Sequence, residues 1–92
     1  MAKHYIVIAE DDIDDCYLVK SALEDISFEA DIIYTKNGIE LLTHLESAIQ
    51  NKTNYPIFIL LDLNMPKMDG REALKRIKSD DLFKTIPVIV FS

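Results

Sequence analysis

Twice in this 92-residue chain an apolar run ends abruptly in carboxylates. Residues 5–9 (YIVIA) lead directly into Glu10, Asp11 and Asp12, and residues 57–61 (IFILL) lead directly into Asp62. If the two runs are neighbouring parallel strands, these acids meet at one edge of a sheet. Carboxylates crowded within a few ångströms repel, so some must take up protons or move apart unless a cation joins them. Mg²⁺ suits such a place: it takes oxygen ligands, accepts one or two carboxylates and keeps water positions that a phosphate oxygen can occupy. The acidic cluster therefore points to a Mg²⁺ site built from Glu10, Asp11 and Asp62. The Glu10–Asp12 run alone is equally well explained as a solvated loop in which Asp12 or Asp14 caps a helix. Asp62 is harder to explain that way, because it stands between five apolar residues and Leu63, at the rim of a buried strand.

The elements that must position these acids are legible as an alternation. Residues 5–9, 57–61 and 88–91 (VIVF) are β-branched and aromatic runs without apolar/polar alternation, as expected of central parallel strands covered on both faces. Residues 31–35 (DIIYT) form a weaker strand, expected at an edge. Val19, Ala22, Leu23 and Ile26 recur at helical spacing and predict a helix over residues 14–26. After the Asn37-Gly38 break, Leu42, Leu45 and Ile49 predict a second helix over residues 39–50. The polar segment 51–56 (NKTNYP) reads as a loop. A third helix is expected from Gly70 or Arg71 to about Asp80, with Asp69 as N-cap and Leu74 and Ile77 buried. The order βαβαβαβ implies right-handed crossovers and an α/β, doubly wound parallel sheet. Such sheets bind ligands beyond the carboxyl ends of their strands, where both acidic runs fall.

Composition bounds the rest. The chain is 49% hydrophobic and 28% charged, which predicts a folded globular chain, and its length allows one domain. Sixteen acidic against ten basic residues give a formal charge of -6, which opposes nucleic acid and anionic membranes as partners. Cys16 has no second cysteine to pair with, and His4 and His44 are isolated, so neither a disulfide nor a zinc site is expected. Cys16 is read as a packing or surface residue and both histidines as peripheral. The apolar runs are too short to span a bilayer and the N-terminus lacks signal-peptide features, so the chain is read as cytoplasmic. Lys75, Arg76 and Lys78 read as a solvated helix face.

Three segments in this order, IVIAEDD, ILLDLNMPKMDG and IPVIVFS, resemble the marker segments of response-regulator receiver domains of bacterial two-component signalling. The middle segment is the specific one, since it joins an apolar strand, an aspartate, Met-Pro and Asp-Gly before a helix. The resemblance implies a flavodoxin-like fold of strand order 2-1-3-4 and a non-enzymatic phosphoacceptor switch. Asp62 would accept a phosphoryl group from a sensor histidine kinase or histidine phosphotransfer protein. Glu10 and Asp11 would flank Mg²⁺ beside Asp62, Asn64 would present its backbone carbonyl to the metal, and Ser92 would be the switch hydroxyl. Pro66 and Gly70 are expected to shape the loop beneath the acceptor.

The chain departs from the family pattern after Ser92. The fifth strand with its essential lysine and the last helices are absent, and neither Lys67 nor Lys84 is assigned to that role. Residues 1–92 are accordingly expected to form a single receiver domain, incomplete at its C-terminus. An open fourth strand invites pairing with a second copy, as a homodimer or strand-exchanged oligomer. Two other readings remain open: a degenerate receiver serving as a docking module, and a Mg²⁺-dependent phosphohydrolase. Phosphohydrolases of that kind place a second aspartate two positions beyond the nucleophile, where this chain has Asn64. A nucleotide-binding domain is disfavoured, because neither GxGxxG nor GxxxxGK[ST] occurs.

Overall fold

A computed structural model of the chain describes residues 4–28, 30–51, 54–63 and 70–91. Elements follow the order β1 (Tyr5–Ala9), α1 (Ile13–Asp25), β2 (Asp31–Thr35), α2 (Gly38–Gln50), β3 (Ile59–Asp62), α3 (Gly70–Ser79) and β4 (Val88–Phe91). The four strands make one sheet in the order β2-β1-β3-β4, parallel throughout, so this is the α/β receiver-type topology expected. β1 and β3 are the inner strands, and Ile6, Val7, Ile8, Ile59 and Leu61 lose all contact with solvent. A strand apolar on both faces is stable only where both are covered, which explains why these two runs show no alternation.

The helices begin on specific caps. Asp12 Oδ1 accepts from the Asp14 amide at 2.9 Å and starts α1. Asn37 Oδ1 accepts from the Glu40 amide at 2.8 Å, and Glu40 Oε1 in turn takes the Lys36 amide at 3.0 Å, a near relative of the capping box at the start of α2. At its far end α1 closes on Ser27, whose φ is 56°. There Ser27 N–H donates to Glu24 O and Phe28 N–H to Leu23 O, both at 3.0 Å, the paired bonds of a Schellman turn.

The core lies on the α2/α3 side of the sheet, where Val7, Ala9, Ile59 and Leu61 pack against Leu41, Leu45, Ala73, Ile77, Phe83 and Ile86. Three expectations shift by one or two residues or by a face. The third strand begins at Ile59, not Ile57, because Ile57 and Phe58 bond only to β1 and the ladder to β4 opens at Ile59. The buried stripe of α2 is Leu41, Leu45 and Ala48; Leu42 flanks it, and Ile49 is turned largely outward. In α3 the buried positions are Gly70, Ala73 and Ile77, with Leu74 at the margin.

Helix α1 differs more. None of its residues is buried: Val19 and Leu23 are half-buried, whereas Ala22 is exposed and Ile26, just past the helix, is 70% exposed. Ile13, Tyr17 and Leu18 on the same helix are exposed as well. Among the described residues no helix is long and apolar enough to cross a membrane.

At the amino end of the sheet, Tyr5 Oη donates to Asn54 O at 2.6 Å and lies 3.1 Å from His44 Nε2. The tyrosine proton is spent on Asn54, so Nε2 must carry the imidazole proton for the second contact to be a hydrogen bond. The two rings also meet edge to face at 5.6 Å. His44 is thus a half-buried packing residue joining α2 to β1, more integrated than its expected peripheral place.

Candidate functional site

Parallel pairing in fixed register brings the two acidic runs together. Val7, Ile8 and Ala9 of β1 align with Ile59, Leu60 and Leu61 of β3, so the strands end at the same level, Glu10 just beyond one and Asp62 as the last residue of the other. Carboxylate oxygens of Glu10, Asp11 and Asp62 lie within 4.8 Å of one another. Glu10 and Asp62 are buried, 4% and 7% exposed, while Asp11 faces solvent.

Each acid is held by its backbone. The Glu10 amide donates to Thr35 O at 3.0 Å, extending the bonding between β1 and β2, and its Oε1 accepts from the Asp12 amide at 3.0 Å. Asp62 is aligned with Phe91 of β4 on its other side. Burial, opposed in part by the Asp12 amide and reinforced by Asp62 and Asp11, raises the Glu10 carboxyl from 4.5 to about 7. An acid pushed toward its neutral form by burial and then by neighbouring acids marks a place where a cation would be favourable. The donor set is all oxygen and rich in negative charge, which fits a hard divalent ion rather than a soft one.

Of the residues singled out in the sequence, Glu10, Asp11 and Asp62 are brought together. Asn64 and Ser92 lie outside the described residues, as do Pro66, Lys67 and Asp69. Asp12 is the cap of α1 and lies outside the cluster. Cys16 Sγ lies 3.9 Å from Glu10 O, and burial followed by the adjacent acids pushes its thiol up, away from the reactive thiolate. Lys84 pairs with Asp81 at 3.0 Å, and Arg76 with Glu72 at 3.4 Å, both on the exposed surface. Lys75, Arg76 and Lys78 are exposed, as the solvated-face expectation has it, and Lys78 Nζ also donates to Lys84 O at 3.2 Å and Ile86 O at 3.0 Å, tying α3 to the turn before β4.

Two further features lie beside the acids. A cavity of about 280 Å³ opens beside Glu10 and Asp11, walled by Ile13, Cys16, Tyr17 and Tyr34 from α1 and β2. Gly70 sits against the end of β3, donating its N–H to Leu63 O at 3.1 Å. The cavity leaves no motif, since its walls come from segments distant in sequence; Gly70 was singled out by its Asp-Gly motif, but not its seat against β3.

A doubly wound sheet with an acidic cluster at the carboxyl ends of its two inner strands defines a class of ligand-binding and phosphoryl-handling α/β domains. Within that class the chain belongs to the response regulator receiver domain family, which it matches over residues 6–92. It is 35% identical over 88 residues to response regulator Rcp1 of Synechocystis sp., an alignment covering 95% of this chain and 60% of that protein. Among solved structures, the phosphorylated cyanobacterial phytochrome response regulator RcpA superposes with a TM-score of 0.84 at 37% identity, over 98% of this chain and 64% of that one. The Mn²⁺-bound form of Rcp1 gives 0.84 at 35% identity, over 95% and 63%. The chain thus spans less than two thirds of the length of these relatives.

Proposed function

We propose that this chain is a phosphoacceptor switch of two-component signal transduction, taking a phosphoryl group on Asp62 from a sensor histidine kinase or a histidine phosphotransfer protein. One observation carries the reading: in a chain of the receiver family, the buried Asp62 carboxylate stands at the end of an inner strand within 4.8 Å of the Glu10 and Asp11 carboxylates. A carboxylate oxygen of Asp62 attacks phosphorus, the bond to the donor imidazole nitrogen breaks, and an acyl phosphate remains on the protein. Glu10, Asp11, Asp62 and the carbonyl of Asn64 would hold Mg²⁺. When bound, the cation neutralises charge that otherwise repels the incoming phosphoryl oxygens. The bound Mn²⁺ of Rcp1 and the phosphorylated state of RcpA support this by similarity.

The Ser92 hydroxyl then donates to the new phosphate and biases the segment that carries it. The protein serves as an acceptor rather than an enzyme with its own substrate, and it works in the cytoplasm, where its kinase partners present phosphohistidine. Residues 1–92 act as the receiver portion of that switch.

Mass spectrometry after incubation with acetyl phosphate and Mg²⁺ tests the reading. One phosphoryl group per chain is expected, stable to acid, lost to base or hydroxylamine and absent from Asp62→Asn. Release of phosphate over many turnovers would instead make the chain a phosphohydrolase, and no labelling of folded, Mg²⁺-saturated protein would leave it a docking module.

A further inference from the structure

We infer that Gly70 is a positioning residue for the acceptor: its missing side chain lets the first turn of α3 seat directly on the main chain of Asp62 and so aims that carboxylate at Glu10 and Asp11. The inference rests on the phosphoacceptor reading of Asp62 but concerns a different residue and has a readout of its own.

The observation is steric. Gly70 is buried at the start of α3. A Cβ placed there would stand 2.6 Å from Leu63 Cα and 2.9 Å from the carbonyl carbon of Asp62, and would collide with the Asp62 carbonyl oxygen. Ordinary carbon contacts begin at about 3.4 Å, so any side chain forces the two backbones apart by about 1 Å. All three obstacles are backbone atoms, and no rotamer change relieves them. The strand side cannot yield freely either, since Asp62 is aligned with β4 and the preceding residues are locked to β1. The Gly70 N–H also donates to Leu63 O, so helix and strand are joined by a bond as well as by contact.

The consequence falls on geometry at the site. Asp62 is the member of the acidic trio that comes from β3, whereas Glu10 and Asp11 follow β1. Displacing the Asp62 main chain moves one arm of the trio while leaving the other two in place. A shift of about 1 Å in a reacting group costs roughly 100-fold in rate, and loss of support behind a metal ligand costs roughly tenfold or more in affinity.

The test compares wild type, Gly70→Ala, Gly70→Ser and Ile77→Val, with fold checked by circular dichroism and amide NMR. Ile77 lies in the same helix and packs into the core away from the acids, so its variant reports a loosened α3 alone. Mn²⁺ affinity, read from the free-ion paramagnetic resonance signal, needs no phosphorylation; labelling by acetyl phosphate is measured beside it. Gly70→Ala is expected to stay folded, bind Mn²⁺ roughly tenfold more weakly and label roughly 100-fold more slowly. Gly70→Ser should match it, because the Cβ already makes the collision. Ile77→Val should lose stability and change neither readout.

A folded Gly70→Ala with wild-type Mn²⁺ affinity overturns the inference, and so does a Gly70→Ala that fails to fold, since the glycine would then serve the fold at large. Wild type that binds Mn²⁺ without labelling refutes the phosphoacceptor reading and leaves the affinity comparison to decide on Gly70. Wild type that does neither overturns both.

Discussion

The two ends of the sheet gather polar groups by opposite rules. At the amino end, Tyr5, His44 and the Asn54 carbonyl satisfy one another: a donor, a donor-acceptor hydroxyl and an acceptor in sequence. At the carboxyl end, the Glu10, Asp11 and Asp62 carboxylates crowd within 4.8 Å of one another, like charge against like charge, with the Asp12 amide donating to Glu10. The first arrangement stabilises the fold as it stands, and the second is favourable only when a proton or a cation enters. Stability and reactivity are thus assigned to opposite ends of the same strands, and β1 takes part in both.

The largest test of that division is at the carboxyl end. Asp62→Asn should remove all labelling and yet raise the thermal midpoint of the metal-free protein, because it deletes a buried like charge; a lower midpoint would show that Asp62 supports the fold. At the amino end the outcome should reverse. Tyr5→Ala should cost about 3 kcal/mol in denaturant unfolding, in line with large-to-small changes beside a core, while labelling per folded molecule is unchanged. Tyr5→Phe keeps the ring and removes the hydroxyl, leaving His44 Nε2–H and the Asn54 carbonyl unanswered, and should cost about 1 kcal/mol.

Acidity separates the two ends as well. The Glu10 carboxyl is raised by the fold from 4.5 to about 7, so the folded, metal-free protein holds its proton more tightly than the unfolded chain. That contribution to stability is fully present below pH 4.5 and is lost as pH rises through about 7. Glu10→Gln should flatten this slope in a series of melts, and a divalent cation should bind more tightly as pH climbs through the same window. Burial lowers the His44 imidazole below its ordinary value of 6.5, so its contribution is present above pH 6.5 and is lost as pH falls through its depressed value. The smallest effect belongs to the turn after α1: Ser27→Gly, at φ 56°, should stabilise by about 0.5 kcal/mol.

Much of this was legible in the chain itself. Uninterrupted β-branched runs announced β1 and β4 to the residue; β1 is covered on both faces as such a run implies, whereas β4, expected to be central, ends the described sheet with Ile89 51% and Val90 43% exposed. The convergence of Glu10, Asp11 and Asp62 followed from strand ends in a parallel sheet, with no contact known. Helix faces were less legible. Leu41 and Leu42 are both apolar, and only the position of the sheet decides that Leu41 with Ala48 turns inward while Ile49 does not. Asp11 and Asp12 are chemically alike, and their roles separate only when α1 takes Asp12 as its cap. The Tyr5–His44 bond joins positions 39 residues apart and leaves no local pattern; Gly70 stood out in its motif, but the contact of its backbone with Asp62 did not.

The acidic trio also has a kinetic meaning. Its members come from residues 10, 11 and 62, so the cluster exists only after β3 has docked against β1, a closure that spans most of the chain and that β1, α1 and β2 cannot supply. A cation held there acts as a removable clasp on that long loop. Such a clasp slows unfolding far more than it speeds folding, since it has nothing to grip until the last strands are home.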